Sequence, residues 1–338
     1  MHLPSILAER RLLPDSVIRY GIRKQLSQHS QYLSKHPRST ESWLKDLSKR
    51  LIAEATDDSK QQHYEVPTEY FLMALGPHLK YSCCIWDVPS QTLESSEAKM
   101  LKLTCERAEL INGLDILELG CGWGSLSLWM AEHYPQSTIT SMSHSNTQKV
   151  WIDAEAKRRG LNNLEVITAD INNFQTSKSY DRIVSIEMFE HLRNHTKLFE
   201  LLSDWLNPDG LIFVHVFAHK KETYLFEIEH ERDWMAQYFF TGGIMPSVEL
   251  LPKSAKGFDL INQWKVNGSH YSKTLEAWLR KQDSQENLIK EQFKNTYGKD
   301  TSLWIQRWRI FYMACSELFA FKQGEEWFVM HYLFTKKS

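Results

Sequence analysis

The sequence has few cysteines, no long apolar run and almost no net charge, and each shortage removes a class of protein. No run of about 18 apolar residues occurs, so no helix is expected to span a membrane. Met1–Arg11 lacks an apolar signal core and places Glu9, Arg10 and Arg11 early, so a secretory signal is not expected. The five cysteines fall as an adjacent pair, Cys83 and Cys84, and three isolated residues. That pattern gives neither a disulfide framework nor a zinc spacing. A reducing, cytoplasmic location follows as the expectation, with no metal and no stable membrane insertion. There is no internal repeat and no low-complexity tract.

The formal net charge of −2 hides an asymmetry. Residues 1–50 hold ten Lys/Arg (Arg10, Arg11, Arg19, Arg23, Lys24, Lys35, Arg38, Lys45, Lys49, Arg50) against four acids (Glu9, Asp15, Glu41, Asp46), leaving the remainder near −8. A basic helical lead segment can touch a membrane or nucleic acid; the plainer reading is a solvated helix face. No nucleic-acid-binding motif accompanies it, so no nucleic-acid partner is expected. With 338 residues the chain is long enough for one α/β domain plus substantial decoration. Twelve tryptophans is a high count; most are expected in the core, and a surplus is also what an aromatic ligand pocket needs.

Residues 1–60 read as helices: Leu12, Leu13, Val17, Ile18 and Ile22 form one stripe after the start signal Pro14-Asp15, and Trp43, Leu44, Leu47 and Leu51 a second. A helix is expected around Thr68–Leu75, stopped by Gly76-Pro77. From about residue 92 strands alternate with helices. Strands are expected at Ile116–Leu119, Thr138–Met142, Leu164–Thr168, Arg182–Ile186 and Leu211–Phe217. Between them, helices are expected at Ser125–His133, Gln148–Arg159 and Thr196–Leu206, with a turn at Asn207-Pro-Asp-Gly210. Phe258–Val266 and Glu326–Phe334 add two further strands, and residues 272–322 are mostly helical. The expected fold is therefore α/β: a seven-stranded, doubly wound, Rossmann-like sheet with helices on both faces. Residues 1–91 would form a helical N-terminal cap, which the resemblance described below makes the cover of a methyltransferase cofactor. Residues 92–338 would form the catalytic domain, with a substrate-covering insertion at about 219–257.

The most informative segment is Asp115-Ile-Leu-Glu-Leu-Gly-Cys-Gly-Trp-Gly-Ser125: a buried strand, a glycine turn and a helix start. Glycine lets a backbone approach a ligand closely, and a helix N-terminus offers unpaired N–H groups. Glu118 ends the strand and points a carboxylate into the crevice at the carboxyl edge of the sheet. Gly120-x-Gly122-x-Gly124 is not the full dinucleotide pattern. A carboxylate beside the turn suits a cation better than a pyrophosphate. That favours S-adenosylmethionine, with its ammonium and sulfonium, over a bare Rossmann turn of unspecified ligand.

Strand four runs into Ser185-Ile-Glu-Met-Phe-Glu-His191. If a helix begins there, Glu187, Glu190 and His191 lie at i, i+3 and i+4 on one face, a proton-handling group at the ligand edge. The alternative is a helix start decorated with acids to suit its dipole, with His191 a core residue. After strand two, Ser143, His144 and Gln148 replace the acid that often binds ribose hydroxyls. Asp170, after strand three, is placed for the adenine amino group or, equally, as a turn cap.

The motifs Leu13-Pro-Asp-Ser16, Gln62-His-Tyr-Glu-Val-Pro-Thr68, Leu79-Lys-Tyr-Ser-Cys-Cys84, Glu118-Leu-Gly-Cys-Gly-Trp-Gly-Ser125, Ser185-Ile-Glu-Met-Phe-Glu-His191, Tyr238-Phe-Phe-Thr-Gly-Gly243, Val266-Asn-Gly-Ser-His-Tyr271, Tyr297-Gly-Lys-Asp300 and Glu325-Glu-Trp327 together carry a resemblance. The chain is similar to the coclaurine N-methyltransferase group of the cyclopropane-fatty-acid synthase superfamily. The resemblance implies that Tyr81, Ser82, Gly120, Gly122, Ser143, Gln148, Asp170 and Ile171 contact S-adenosylmethionine. It implies that Glu187, Glu190 and His191 handle a reacting amine, and that Tyr64, Glu65, Phe240 and Trp327 line its pocket. The sequence departs from the family's Gly-Ile at Ser141-Met142, where the ribose contact is made. The lipid-modifying relatives are the rival. Their bicarbonate cradle maps to Cys83, Glu190, His215 and Tyr271, all present here, but they generally carry glycine where this chain has Glu187. A second carboxylate suits an ammonium and would burden a hydrocarbon pocket with desolvation cost. The expectation is in-line N-methylation of a small aromatic or alkaloid-like amine, by a monomer or homodimer. The alternative is lipid methyl or methylene transfer with bound bicarbonate. A non-catalytic binding protein on this fold is the third class.

Overall fold

Short apolar runs joined by amphipathic helices can bury both faces only if parallel strands lie between two helical layers. The computed structural model, which describes residues 3–54, 66–230 and 233–337, has that arrangement. The strands are β1 Asp115–Leu119, β2 Thr138–Ser143, β3 Leu164–Thr168, β4 Tyr180–Ile186, β5 Leu206–His219, β6 Tyr224–Leu225, β7 Ile244–Met245, β8 Phe258–Val266 and β9 Trp327–Lys336. Seven of them form one sheet in the order β3-β2-β1-β4-β5-β9-β8, while β6 and β7 pair separately. Strands β1 to β5 pair in parallel, and β9 runs antiparallel to both its neighbours. Chain order reverses beside β1, between β1 and β4, which opens a crevice at their carboxyl ends.

The helices are α1 Leu3–Glu9, α2 Asp15–Lys35, α3 Thr40–Leu47, α4 Thr68–Ala74, α5 Leu93–Arg107, α6 Ser125–His133, α7 Asn146–Arg159, α8 His195–Trp205, α9 Trp234–Tyr238, α10 Leu250–Ser254, α11 Gly268–Ser284, α12 Glu286–Tyr297 and α13 Thr301–Ala320. Local chemistry sets their ends. Thr92 and Ser95 form a capping box that starts α5. Ser145 accepts from the Gln148 amide to start α7, and Gly160, at φ 72°, ends it. None of the described helices is long and apolar enough to cross a membrane.

The basic lead segment is matched by acids of the C-terminal helices. Arg19 binds Glu276 at 2.7 Å and Glu317 at 3.1 Å, Arg11 binds Glu286 at 2.6 Å, and Arg309 reaches back to Asp15 at 2.6 Å. Glu9, 4% exposed, takes both Arg307 and the Trp234 indole N–H. These pairs fasten the segment from α1 to α2 across α11, α12 and α13.

Several expectations need correction. Leu12 is 64% exposed because the chain turns at Arg11, with φ 58°, and α2 starts only at Asp15; Val17, inside α2, is 46% exposed while Ile18 carries the buried face. Leu51 is also exposed and lies past the end of α3. The turn at Asn207–Gly210 exists but sits inside β5. Pairing with β4 steps from Tyr180–Leu206 to Arg182–Leu211, so these four residues loop out opposite Asp181. No helix starts at Glu187. That residue has φ 48°, and only a single 3₁₀ turn, Phe189–His191, follows. Glu187, Glu190 and His191 therefore do not share a helix face. Tyr64 and Glu65 lie outside the described residues.

Candidate active site

The turn after β1 is glycine-rich for two different reasons. Gly120, Gly122 and Gly124 all have positive φ, at 75°, 53° and 77°. A Cβ at Gly120 would come within 2.9 Å of Met188, and one at Gly124 within 2.6 Å of Ile152, so these two are required by packing against protein. A Cβ at Gly122 would meet nothing within 4 Å. Gly122 borders two adjoining cavities, and a side chain there would fill the space a ligand uses.

The larger cavity has a volume of about 180 Å³ and the smaller about 80 Å³; Gly120, Gly122, Gln148 and His191 border both. Tyr81, Ser82 and Glu118 line the larger, while Ser143, His144, Asp170 and Ile171 line the smaller. All ten residues expected at the cofactor thus border one continuous crevice at the carboxyl edge of β1, β2 and β3. Two polar atoms on its walls, Ser125 Oγ and His144 Nε2, are buried with no hydrogen-bond partner among the described residues. Helix α6 begins without a side-chain cap. Unpaired donors and a glycine cradle fit a nucleoside with a charged amino-acid tail.

Glu118 is 2% exposed and accepts from Ser141 Oγ at 2.9 Å and from Ser127 Oγ. Burial pushes its pKa up to about 7, against the pull of those two hydroxyls. A cationic ligand beside it would hold it ionised. Asp170 Oδ1 accepts from the Asn172 amide at 2.8 Å, so this residue is a turn cap and a cavity wall at once. Ser143 Oγ donates to Gln148 Oε1 at 2.7 Å, which fixes the Gln148 amide at the junction of the cavities.

One part of the larger cavity's wall is organised around Glu187. Its Oε1 accepts from the Cys83 amide at 2.9 Å and faces His215 Nε2 at 3.1 Å; its Oε2 accepts from the Tyr271 hydroxyl. Burial pushes Glu187 up to about 7, opposed by the charge of Lys80 and by the Cys83 and Tyr271 hydrogen bonds. Glu190 is fully buried, and no side chain bonds to it among the described residues. Burial and then the charge of Glu187 push its pKa well up, while its own amide and that of Phe217 pull the other way. Burial and mutual repulsion both disfavour ionising the two carboxyls together. His191 borders both cavities, its ring 4.6 Å from Phe240.

Phe240 lies between β5 and β8, against Gly243, where a Cβ would approach its ring to 2.0 Å. Phe226, Met235 and Met245 of the same stretch also line the larger cavity. Trp327, expected there, is elsewhere. It is completely buried at the start of β9, and its indole N–H donates to Tyr224 Oη at 2.9 Å. Several wall residues lie outside the expected cofactor and amine sets, although Lys80 and Tyr271 stand within motifs quoted above. Lys80, 2% exposed, donates to Cys83 O at 2.8 Å and to Ser82 Oγ. Tyr271, Leu275 and Trp278 of α11, and Phe311, Cys315 and Leu318 of α13, present two stripes to the cavity at i, i+4, i+7. That spacing is visible in the sequence but is the same as a core-facing stripe.

Residues 53–327 match the family model described as mycolic acid cyclopropane synthetase. The chain is 36% identical over 339 residues to the (S)-coclaurine N-methyltransferase of Thalictrum flavum subsp. glaucum, covering 97% of this chain and 94% of that one. It is similar, with a TM-score of 0.93 and 34% identity over 98% of each chain, to the crystal structure of coclaurine N-methyltransferase bound to N-methylheliamine and SAH. Against the cyclopropane-fatty-acyl-phospholipid synthase of Escherichia coli (strain K12) it is 30% identical over 223 residues, 65% of this chain and 55% of that one.

Proposed function

The chain belongs to the mycolic acid cyclopropane synthetase family and is an S-adenosylmethionine-dependent methyltransferase; from that premise we propose that it methylates the nitrogen of a small aromatic or alkaloid-like amine. The observation that carries this reading is the position of the Glu187 carboxylate. Cys83, His215 and Tyr271, three of the four residues expected to cradle a bicarbonate, hold this carboxylate instead, and Cys83 does so through its amide rather than its thiol. The protein thus supplies its own fixed anion. Glu187 does so at φ 48°, where glycine is unstrained and a side chain costs on the order of 1 kcal/mol. The resemblance gives the lipid enzymes glycine at this position. A strained, desolvated carboxylate beside an aromatic cavity is costly for a hydrocarbon substrate and useful for an ammonium.

When bound, S-adenosylmethionine supplies an electrophilic methyl group on a sulfonium. The remaining work belongs to the side chains. An aliphatic amine, like lysine with its pKa of about 10.4, is mostly protonated at neutral pH. Glu187 attracts that cation, and Phe217, Phe226 and Phe240 give it an aromatic wall. Glu190 shares the site and holds the proton that Glu187 does not. We assign the base to His191, which touches both cavities and so reaches the point where amine and cofactor meet. Phe240 packs beside His191, with the ring centroids 4.6 Å apart.

The test supplies methyl-labelled S-adenosylmethionine with a panel of aryl-ethylamines and benzylisoquinoline-type amines, and separately with phospholipid vesicles. Buffers are stripped of dissolved carbonate. Amine methylation that persists without carbonate, with unlabelled vesicle lipids, is the expected result. Label in the acyl chains, or a carbonate requirement, overturns the proposal in favour of lipid modification.

A further inference from the structure

Behind Glu187 the structure places a line of hydrogen bonds that the reaction does not touch. His215 on β5 and His331 on β9 are directly opposite in the antiparallel register, and both are completely buried. His215 Nδ1 lies 2.9 Å from His331 Nε2, and His331 Nδ1 lies 2.8 Å from an Arg107 guanidinium nitrogen. At the other end His215 Nε2 faces Glu187 Oε1 at 3.1 Å. Arg107 is the last residue of α5, three residues beyond Thr104, which lines the larger cavity.

The direction of each bond follows from chemistry. A guanidinium has donors and no acceptor, and it does not lose its proton in proteins. Arg107 therefore donates to His331 Nδ1. His331 carries its hydrogen on Nε2 and donates to His215 Nδ1. His215 in turn carries its hydrogen on Nε2 and donates to Glu187. A second proton on either ring would set donor against donor somewhere along the line. The charges around the pair act the same way: Lys80 and Arg107 are cations, Glu187 faces only His215, and burial and the charge of Glu187 push the Glu190 carboxyl well up. Burial pushes both imidazoles well below their ordinary range, and Lys80 and Arg107 add to this.

We propose that Arg107 is a positioning residue for the active site. Acting through His331 and His215, it locks both imidazoles in the tautomer that donates toward the Glu187 carboxylate. This rests on the role given to Glu187 above and deepens it. The line is not a proton wire. A proton arriving at Glu187 cannot leave along it, because Arg107 cannot accept one. The proton taken from an amine must leave on the cavity side, past His191. The plainer role for Arg107 is a last-turn helix cation resting on Trp264, 5.0 Å from the ring centroid. That role predicts no effect on the histidines.

The experiment is histidine-selective ¹⁵N NMR on the full chain, which reads tautomer and charge directly, paired with kinetics across pH. In the wild type, His215 and His331 are expected to be neutral Nε2–H tautomers that do not titrate between pH 6 and 8. Nδ1–H on His331 overturns the proposal without any variant. In Arg107→Met, which keeps an apolar stem and loses every donor, the His331 tautomer is expected to redistribute and the pair to become titratable. We expect kcat to fall about tenfold, the worth of one oriented, charge-assisted hydrogen bond. We also expect KM for S-adenosylmethionine to be unchanged, and Arg107→Lys, which retains a donor, to recover most of the loss. Unchanged histidine signals in Arg107→Met overturn the proposal, as does a kcat equal to wild type. If that variant does not fold, the wild-type spectra still decide: neutral Nε2–H tautomers on both rings support the proposal, and Nδ1–H on His331 overturns it. The spectra need no substrate: if they behave as stated while no amine is methylated, the positioning role stands and the N-methylation reading falls.

Discussion

Replacing Glu187 by glutamine should make the protein more stable and less active, with the stability gain appearing only at higher pH. The side chain accepts three hydrogen bonds, from the Cys83 amide, His215 and Tyr271. A glutamine can keep the first two on its carbonyl oxygen and donate its NH₂ to Tyr271, whose hydroxyl rotates to accept. The cost is about 1 kcal/mol, the difference between a charged and a neutral acceptor. The gain comes from the desolvation that lifts the Glu187 pKa from an ordinary 4.5 to about 7. At 1.36 kcal/mol per pH unit, ionising Glu187 costs about 3 kcal/mol more in the fold than in water. Because the folded value lies above the unfolded one, this cost is absent below pH 4.5, grows between 4.5 and 7, and is complete above 7. Glu187→Gln should therefore raise stability by about 2 kcal/mol at pH 8, a few degrees in Tm for a chain of this size. At pH 4.5 the same variant should be no more stable than wild type. Glu190, relieved of its neighbour's charge, moves in the same direction. Activity should go the other way. A carboxylate and an ammonium at about 4 Å attract by about 4 kcal/mol at an effective dielectric of 20, so kcat/KM for an amine should drop at least 100-fold. Thermal melts at pH 5 and pH 8 and steady-state kinetics on one amine settle both halves. A variant that keeps a third of wild-type kcat/KM, or whose Tm gain is equal at both pH values, refutes the reasoning.

Two further variants separate binding from chemistry. Gly122→Val puts a branched side chain at φ 53°, into space where nothing of the protein lies within 4 Å. S-adenosylmethionine affinity by calorimetry should fall at least 100-fold in a folded protein, and a Kd within threefold of wild type would show that the ligand lies elsewhere. His191→Ala should lower turnover by roughly 100-fold, the lower range for a lost general base, with cofactor affinity within threefold; unimpaired turnover would return the proton to the carboxylates.

What the sequence showed and what it hid divide along the range of the interactions involved. The β1 turn was legible because strand, glycines and helix start are contiguous, so local propensity and ligand geometry point the same way. That the residues after β2 and β3 border the crevice was legible for the same reason: a parallel sheet brings strand ends to one edge whatever else the chain does. The segment after β4 was misread as a helix. Nothing in Ile186-Glu-Met-Phe reports that Glu187 takes a left-handed φ, because that conformation is imposed from outside by its amide bonding to His215 O at 2.8 Å and by the donors on its carboxylate. Those donors come from positions 83, 215 and 271, and their convergence is a tertiary fact. Trp327 was placed at the pocket through resemblance alone, and its indole in fact serves Tyr224. Arg107 and His331 gave no signal, since one charged residue at a helix end and one histidine in an apolar strand are common without consequence.

The arrangement around Glu187 suggests how one fold serves two chemistries. A site that abstracts a proton from a carbocation needs an anion that can move; a site that draws in an ammonium needs an anion that stays. With glycine at position 187 the backbone is relaxed, and the amide of Cys83, the imidazole of His215 and the hydroxyl of Tyr271 are left to bind an anion from solution. With glutamate the same three donors are saturated by the chain itself, the backbone carries strain, and the carboxylate is desolvated enough to titrate near 7. Lys80 then has a definite place. Buried, with its ammonium on Cys83 O and its charge acting on Glu187, it offsets part of the burial that would otherwise protonate the carboxylate. The fixed anion, the buried lysine and the directed histidine pair form one electrostatic unit. A change of substrate class on this scaffold would therefore require altering several positions together rather than Glu187 alone.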